Sequence, residues 1–169
     1  MVSLKHNSGV TLVEMLVVLG IIMVLAGIVI SVTARVENQS KENSLRSAFA
    51  LVDSALREYY EAKDVFPPQP ETDSASTNAL THIELMVAEL RSVPAARQVL
   101  DKLDPALVRR ASGTEDVQSL CDPWGTVLDY VYVAGNNFPE LISAGPDKQF
   151  GLSRSDPFAK DNISSKGRK

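Results

Sequence analysis

One cysteine, Cys121, is all the chain contains, so no disulfide can form within it. Histidine is almost as scarce. His6 and His82 stand far apart, and neither has Cys, His or carboxylate company at metal-ligand spacing. Positive charge is not concentrated: the formal net charge is −4 and the only basic run is the short Lys166–Lys169 tail. The charge footprint of a nucleic-acid binder is therefore missing, and no nucleic-acid partner is expected. No Ser/His/Asp or Cys/His signature is visible, and Ser143-Ala144-Gly145 lacks the Gly-x-Ser-x-Gly context of a nucleophile elbow. These absences exclude the common thiol, serine and metal chemistries. A membrane-anchored enzyme built on scattered carboxylates is the one enzymatic alternative left.

What the sequence does have is a single concentrated apolar segment. Val10–Val32 holds one ionisable residue, Glu14. As a helix it runs about 34 Å at roughly 1.5 Å per residue, close to a hydrocarbon core of about 30 Å. The polar stretch before it carries Lys5, which predicts a cytoplasmic amino terminus and an external carboxyl terminus. A plain signal anchor would explain the apolarity, and so would a secretory signal peptide cut after Val32-Thr33-Ala34. Both leave Glu14 unexplained. A carboxylate inside a membrane helix costs roughly 2–3 kcal/mol on insertion scales, so its default reading is functional.

Beyond the apolar segment the helical pattern continues. Leu45, Phe49, Val52, Leu56 and Tyr59/Tyr60 recur at three- and four-residue steps, while Lys41, Glu42, Arg46, Asp53, Arg57 and Glu61 mark a solvated face. One helix is predicted from about Thr11 to Glu61, with Gly20 and Gly27 as points of low propensity. Pro67-Pro68-Gln69-Pro70 ends it and opens a polar loop. Helices are predicted over Asn78–Ser92 and from Pro94 towards Leu103, then a turn or helix from Asp104 to Arg110 and a loop over Ala111–Ser119. His82 is expected at the surface or as a helix cap. Thr126–Val133 and Phe138–Ser143 read as strands separated by a turn, with Trp124 a core anchor and the remainder loop-rich. The fold class is α+β: a long amino-terminal helix, half transmembrane and half amphipathic, with short helices and a small carboxyl-terminal antiparallel sheet.

Two sets of residues carry a resemblance. Ser8-Gly9-Val10-Thr11-Leu12-Val13-Glu14 resembles the processing motif of type IV pilins and type II secretion pseudopilins, with Val10 in place of the usual phenylalanine. The resemblance implies that prepilin peptidase cuts between Gly9 and Val10 and N-methylates Val10. It also implies that Glu14 pairs with the new ammonium of a neighbouring subunit during filament assembly. The expected organisation is a leader over 1–9, a transmembrane and filament-core helix over 10–34, and a periplasmic head over 35–169. Further on, Asp122-Pro123-Trp124-Gly125, a strand with Tyr130, and Ser143-Ala144-Gly145-Pro146-Asp147 resemble the major pseudopilin, although Lys148 replaces the glycine usual after the aspartate. By that resemblance one Ca²⁺ is held by Asp147, Asp161 and the Ala144 carbonyl, with Asp156 a further ligand; hard oxygen donors suit calcium. Residues 71–120 are longer and more helical than the resemblance implies. The implied partners are other copies and other pseudopilins, the peptidase, an inner-membrane assembly platform, and lipid before assembly. The expected location is the bacterial inner membrane, then a periplasmic filament that serves protein export. A type IV pilus subunit, for adhesion, motility or DNA uptake, is the alternative.

Overall fold

The computed structural model describes residues 11–69, 78–110, 118–133, 135, 137–151 and 156–167. The fold is α+β. Helix α1 runs Leu12–Lys63, and the chain divides into two units, Met1–Gln39 and Ser40–Lys169.

In the first unit the large apolar side chains from Leu12 to Leu25 are between 50% and 81% accessible, around the whole circumference. A helix apolar on every side has no single face to bury and needs cover from an apolar medium or from other helices. Among the described residues no helix is long and apolar enough to cross a membrane. The span expected over residues 10–32 lies partly outside those residues.

The second unit is organised by the amphipathic half of α1. Leu45, Val52 and Leu56 are fully buried, with Phe49 and Tyr59 nearly so. Spaced at three and four residues, they form the stripe that meets the rest of the unit's core. Tyr60, expected in that stripe, is 41% exposed and stacks on Phe66 instead. The helix ends where Asp64 turns left-handed at φ +59, and Pro67-Pro68 prevents continuation.

Helix α2 spans Ala79–Ser92 and α3 spans Pro94–Leu100, with extended Val93 between them and Pro94 opening the second. A 3₁₀ turn at Pro105–Leu107 leads into β1, Val108–Arg110, which pairs antiparallel with β2, Gln118–Leu120. This ladder corrects the expectation of a helix or turn to Arg110 and a loop to Ser119. β3 (Asp129–Val131), β4 (Glu140–Ser143) and β5 (Ile163–Ser164) form a second antiparallel sheet in that order. Tyr130 stands opposite Leu141, and Ser143 opposite Ile163. The last strand falls in a stretch expected to be loop. The core joins Leu45, Val52 and Leu56 to Ile83, Met86 and Leu90 of α2 and to Leu128, Tyr130 and Leu141 of the sheet. The Tyr130 hydroxyl donates to the Pro67 carbonyl at 2.9 Å, and the Tyr132 N–H to Gln69 Oε1 at 2.6 Å. The proline segment is thereby tied to β3.

Candidate functional site

At the start of α1, Thr11 and Glu14 satisfy one another. The Thr11 N–H and hydroxyl both donate to Glu14 Oε2, at 2.9 and 3.0 Å, and the Glu14 N–H donates to Thr11 Oγ1 at 3.2 Å. This is a capping box, in which a residue before the first helical turn and a glutamate three positions on exchange bonds through orphan helix donors. Glu14 is therefore a carboxylate held in place by its own helix. The Thr-x-x-Glu spacing in the sequence is the signal for this pairing, which the expectation for Glu14 alone did not include. Gly9 and Val10 lie outside the described residues.

The carboxyl-terminal loops place the expected cation ligands. Gly145, at φ +73, sits so close to Asp161 that a Cβ would strike the Asp161 carbonyl. Asp161 Oδ2 accepts the Asp147 N–H at 3.1 Å, and Asp147 Oδ1 accepts the Gln149 N–H at 2.8 Å. Asp147 and Asp161 are thus brought together, beside the buried Ala144. Lys148 adopts φ +64, the left-handed conformation a glycine would take without strain. The turn keeps a glycine-like shape with a residue that makes it harder to form. Asp156 belongs to an adjoining turn, where its carbonyl accepts the Ala159 N–H and its Cβ packs near Gly151. Among the described residues, no three His, Cys, Asp or Glu side chains gather as a metal site. Any cation here would depend on carbonyl and amide oxygens beside the two carboxylates. One such oxygen exists: Asn162 Oδ1 is buried and unpartnered among the described residues, while its Nδ2 donates to the Phe150 carbonyl at 2.9 Å. An orphaned hard donor next to Asp161 fits an oxygen-ligated cation.

Residues 4–30 match the prokaryotic N-terminal methylation motif. That motif marks a type IV pilin-like prepilin, and it belongs to a structural family rather than an enzymatic one. No curated protein and no solved structure matches the chain. The prepilin motif covers the capping box and most of the exposed apolar helix. It does not reach the head.

In the head, the structure corrects the expectation for His82. The residue is 2% exposed, and its Nδ1 lies 2.9 Å from Asp129 Oδ1, also buried. His82 falls one helical turn before Met86 and two before Leu90, on the face that α2 buries. Position on the helix outweighs the polarity of the side chain, and the cost is met by a partner on β3. Burial pushes the Asp129 carboxyl up, against the opposing pull of His82 and the Tyr130 N–H. The Gln69 amide nitrogen lies 3.4 and 3.5 Å from the two ring nitrogens. The pair joins α2 to the sheet, and none of the contacts around it supplies a nucleophile.

A cavity of about 380 Å³ is lined by Lys41, Ser44, Asp104, Arg109, Cys121 and Asp122 among others. Burial pushes the Cys121 thiol up, so thiolate chemistry is disfavoured there. Arg109 Nη2 donates to the Gly125 carbonyl at 3.2 Å. Trp124 is 9% exposed and part of the core, as expected.

Proposed function

We propose that the chain is a pseudopilin, a subunit of a type II secretion filament rather than an enzyme. The leader over 1–9 is removed between Gly9 and Val10, Val10 is N-methylated, and residues 10–34 serve first as an inner-membrane anchor and then as filament core. The head over 35–169 stands in the periplasm. The observation that carries this reading is the methylation motif over residues 4–30 coinciding with a helix whose apolar side chains are exposed all round. Lipid covers such a surface before assembly, and copies of the same helix cover it afterwards. The capping box holds Glu14 Oε2, so a neighbour's ammonium meets a carboxylate already oriented. Burying that ion pair contributes mainly to register, because desolvation offsets most of its attraction.

The assignment to secretion rather than to a pilus is supported by the Asp122-Pro123-Trp124-Gly125 turn and the Ser143–Asp147 turn. Both resemble the major pseudopilin. Calcium belongs to the same reading: Asp147, Asp161 and the Ala144 carbonyl would hold it, with Asn162 Oδ1 and Asp156 as further donors. Bound there, calcium would supply a positive centre that links the turn after β4 to the segment before β5. Calorimetric titration of the full chain in detergent should show calcium-dependent heat, and its absence removes the metal from the proposal.

Intact mass and N-terminal sequencing of membrane-extracted protein test the processing step. The expected start is methylated Val10. A start at Arg35 would indicate secretory cleavage, an intact Met1 a simple anchor, and either result overturns the proposal. Glu14→Ala should be processed normally yet fail to enter filaments. Normal filaments from that variant would remove the assembly role of Glu14. Deleting the chain should abolish export of secreted proteins while leaving surface pili intact; the reverse outcome assigns it to a pilus.

A further inference from the structure

Asp122, in the turn after β2, is 2% exposed and makes three hydrogen bonds through its carboxylate. Oδ1 accepts the Trp124 N–H at 3.0 Å and the Thr126 N–H at 2.8 Å, which fixes the shape of the 122–126 turn. Oδ2 accepts the Ser143 hydroxyl at 2.7 Å, and that hydroxyl oxygen in turn accepts the Gly145 N–H at 3.0 Å. Gly145 packs on the Asp161 carbonyl, and Asp161 Oδ2 holds the Asp147 N–H. Ser143 itself is fully buried at the end of β4, opposite Ile163. A chain of hydrogen bonds therefore runs from the Trp124 turn through Asp122 and Ser143 to Gly145, and close packing of Gly145 carries it on to Asp161.

We propose that Ser143 is a positioning residue that couples the order of the 122–126 turn to the state of the 144–161 loop. Its hydroxyl has one proton and spends it on Asp122, so only its oxygen is left to hold Gly145. The two turns thus share one side chain, and neither can shift without straining the other's bond. Around buried Asp122 and Ser143 water cannot replace a lost partner, so a shift of the 145–147 turn is felt at the 122–126 turn. The consequence reaches further than the loop. Asp122 and Gly125 line the 380 Å³ cavity, and Arg109 bonds the Gly125 carbonyl, so the loop sets the rigidity of one cavity wall.

The inference rests in part on the calcium reading, because a cation at Asp147 and Asp161 would be the natural input to the relay. The coupling itself stands without a cation, and the test separates the two. Hydrogen exchange is measured by mass spectrometry on the full chain in detergent, following the amides of Trp124, Gly125 and Thr126. Asp161→Ala touches none of those residues, yet should speed their exchange about tenfold by loosening the 145–147 turn. Ser143→Ala should do the same, and the double variant should exceed neither single variant. Exchange in α2 serves as the control. If Ser143→Ala also loses protection there, the variant is unfolding and the part-exposed Asp161→Ala decides alone. Exchange at 124–126 within twofold of wild type in Asp161→Ala overturns the proposal, as does full additivity in the double variant. Where calorimetry detects calcium, calcium should slow exchange at Trp124 and Thr126 in the wild type and not in Ser143→Ala; slowing in both overturns it. A chain without calcium heat loses the metal reading only, and the Asp161→Ala result still judges the relay.

Discussion

Replacing His82 by leucine should destabilise the head by about 3 kcal/mol, and the reason lies in what is left behind. The His82 and Asp129 side chains are 1% and 2% exposed and lie 2.9 Å apart. Leaving a buried carboxyl group without its partner costs about 3–5 kcal/mol, because the survivor stays dehydrated. The lower end applies here, since Asp129 also accepts the Tyr130 N–H. Replacing both members by leucine removes the orphan, so the double variant should recover at least about 2 kcal/mol of that loss. Urea unfolding of the full chain in detergent, followed by the fluorescence of Trp124, gives these values. The pH dependence supplies a second check. The folded state raises the Asp129 carboxyl above its ordinary 3.8. The native state therefore holds this proton more tightly than the unfolded chain, and this group's contribution is full below 3.8 and declines as pH rises through the folded value. Taking away His82 removes the influence that lowers Asp129 and pushes its carboxyl higher still. The gap between wild type and His82→Leu should then be widest near neutrality and narrow on acidification. A loss under about 1 kcal/mol in the single variant, or a double variant as unstable as the two singles combined, would refute the reasoning.

Gly145→Ala should cost about 2 kcal/mol or more, because the residue adopts φ +73 and its Cβ would meet the Asp161 carbonyl, which is backbone and cannot rotate away. Thermal melts of the full chain read this directly, and an unchanged midpoint would show that the 144–161 loop is not packed as described. Tyr59 donates to Glu89 Oε2 at 2.7 Å, joining α1 to α2, so Tyr59→Phe should lose about 1 kcal/mol. Burial and Glu89 push the Tyr59 hydroxyl up to about 12. Its contribution is accordingly full below pH 10 and lost as pH climbs towards 12, and the variant should lack that alkaline component in pH-dependent melts.

What could be read from the sequence was what depends on near neighbours. Leu45, Phe49, Val52 and Leu56 announce their helix because the period of 3.6 is written in the spacing itself, and Pro94 and Pro67-Pro68 act on adjacent backbone. Tyr60 shows where the pattern stops being informative. It is adjacent to the buried stripe, yet it stays 41% exposed with one ring face stacked on Phe66 from beyond the helix end. The short ladders were illegible for a different reason. β1, β2 and β5 have two or three residues each, too few for alternation to appear, and their existence depends on partners in other parts of the chain.

The same distinction separates the two candidate sites. The amino-terminal motif was legible because its parts lie close together in the chain: a glycine, a glutamate five positions on and an apolar segment, with only the Thr11 cap left for the structure to add. The head offers no such economy. His82 finds Asp129 forty-seven positions later, and Ser143 finds Asp122 twenty-one positions earlier. Before folding, each of these is an ordinary polar residue, and its energetic weight arises only when burial removes water as the alternative partner. Asp122-Pro123-Trp124-Gly125 could be recognised as a turn, yet the second oxygen of Asp122 acquires its importance from a strand that the turn does not touch in sequence. Coupling between loops of the head is therefore a property of the folded pairing, and substitutions at Ser143 should reveal it although nothing about an isolated serine predicts it.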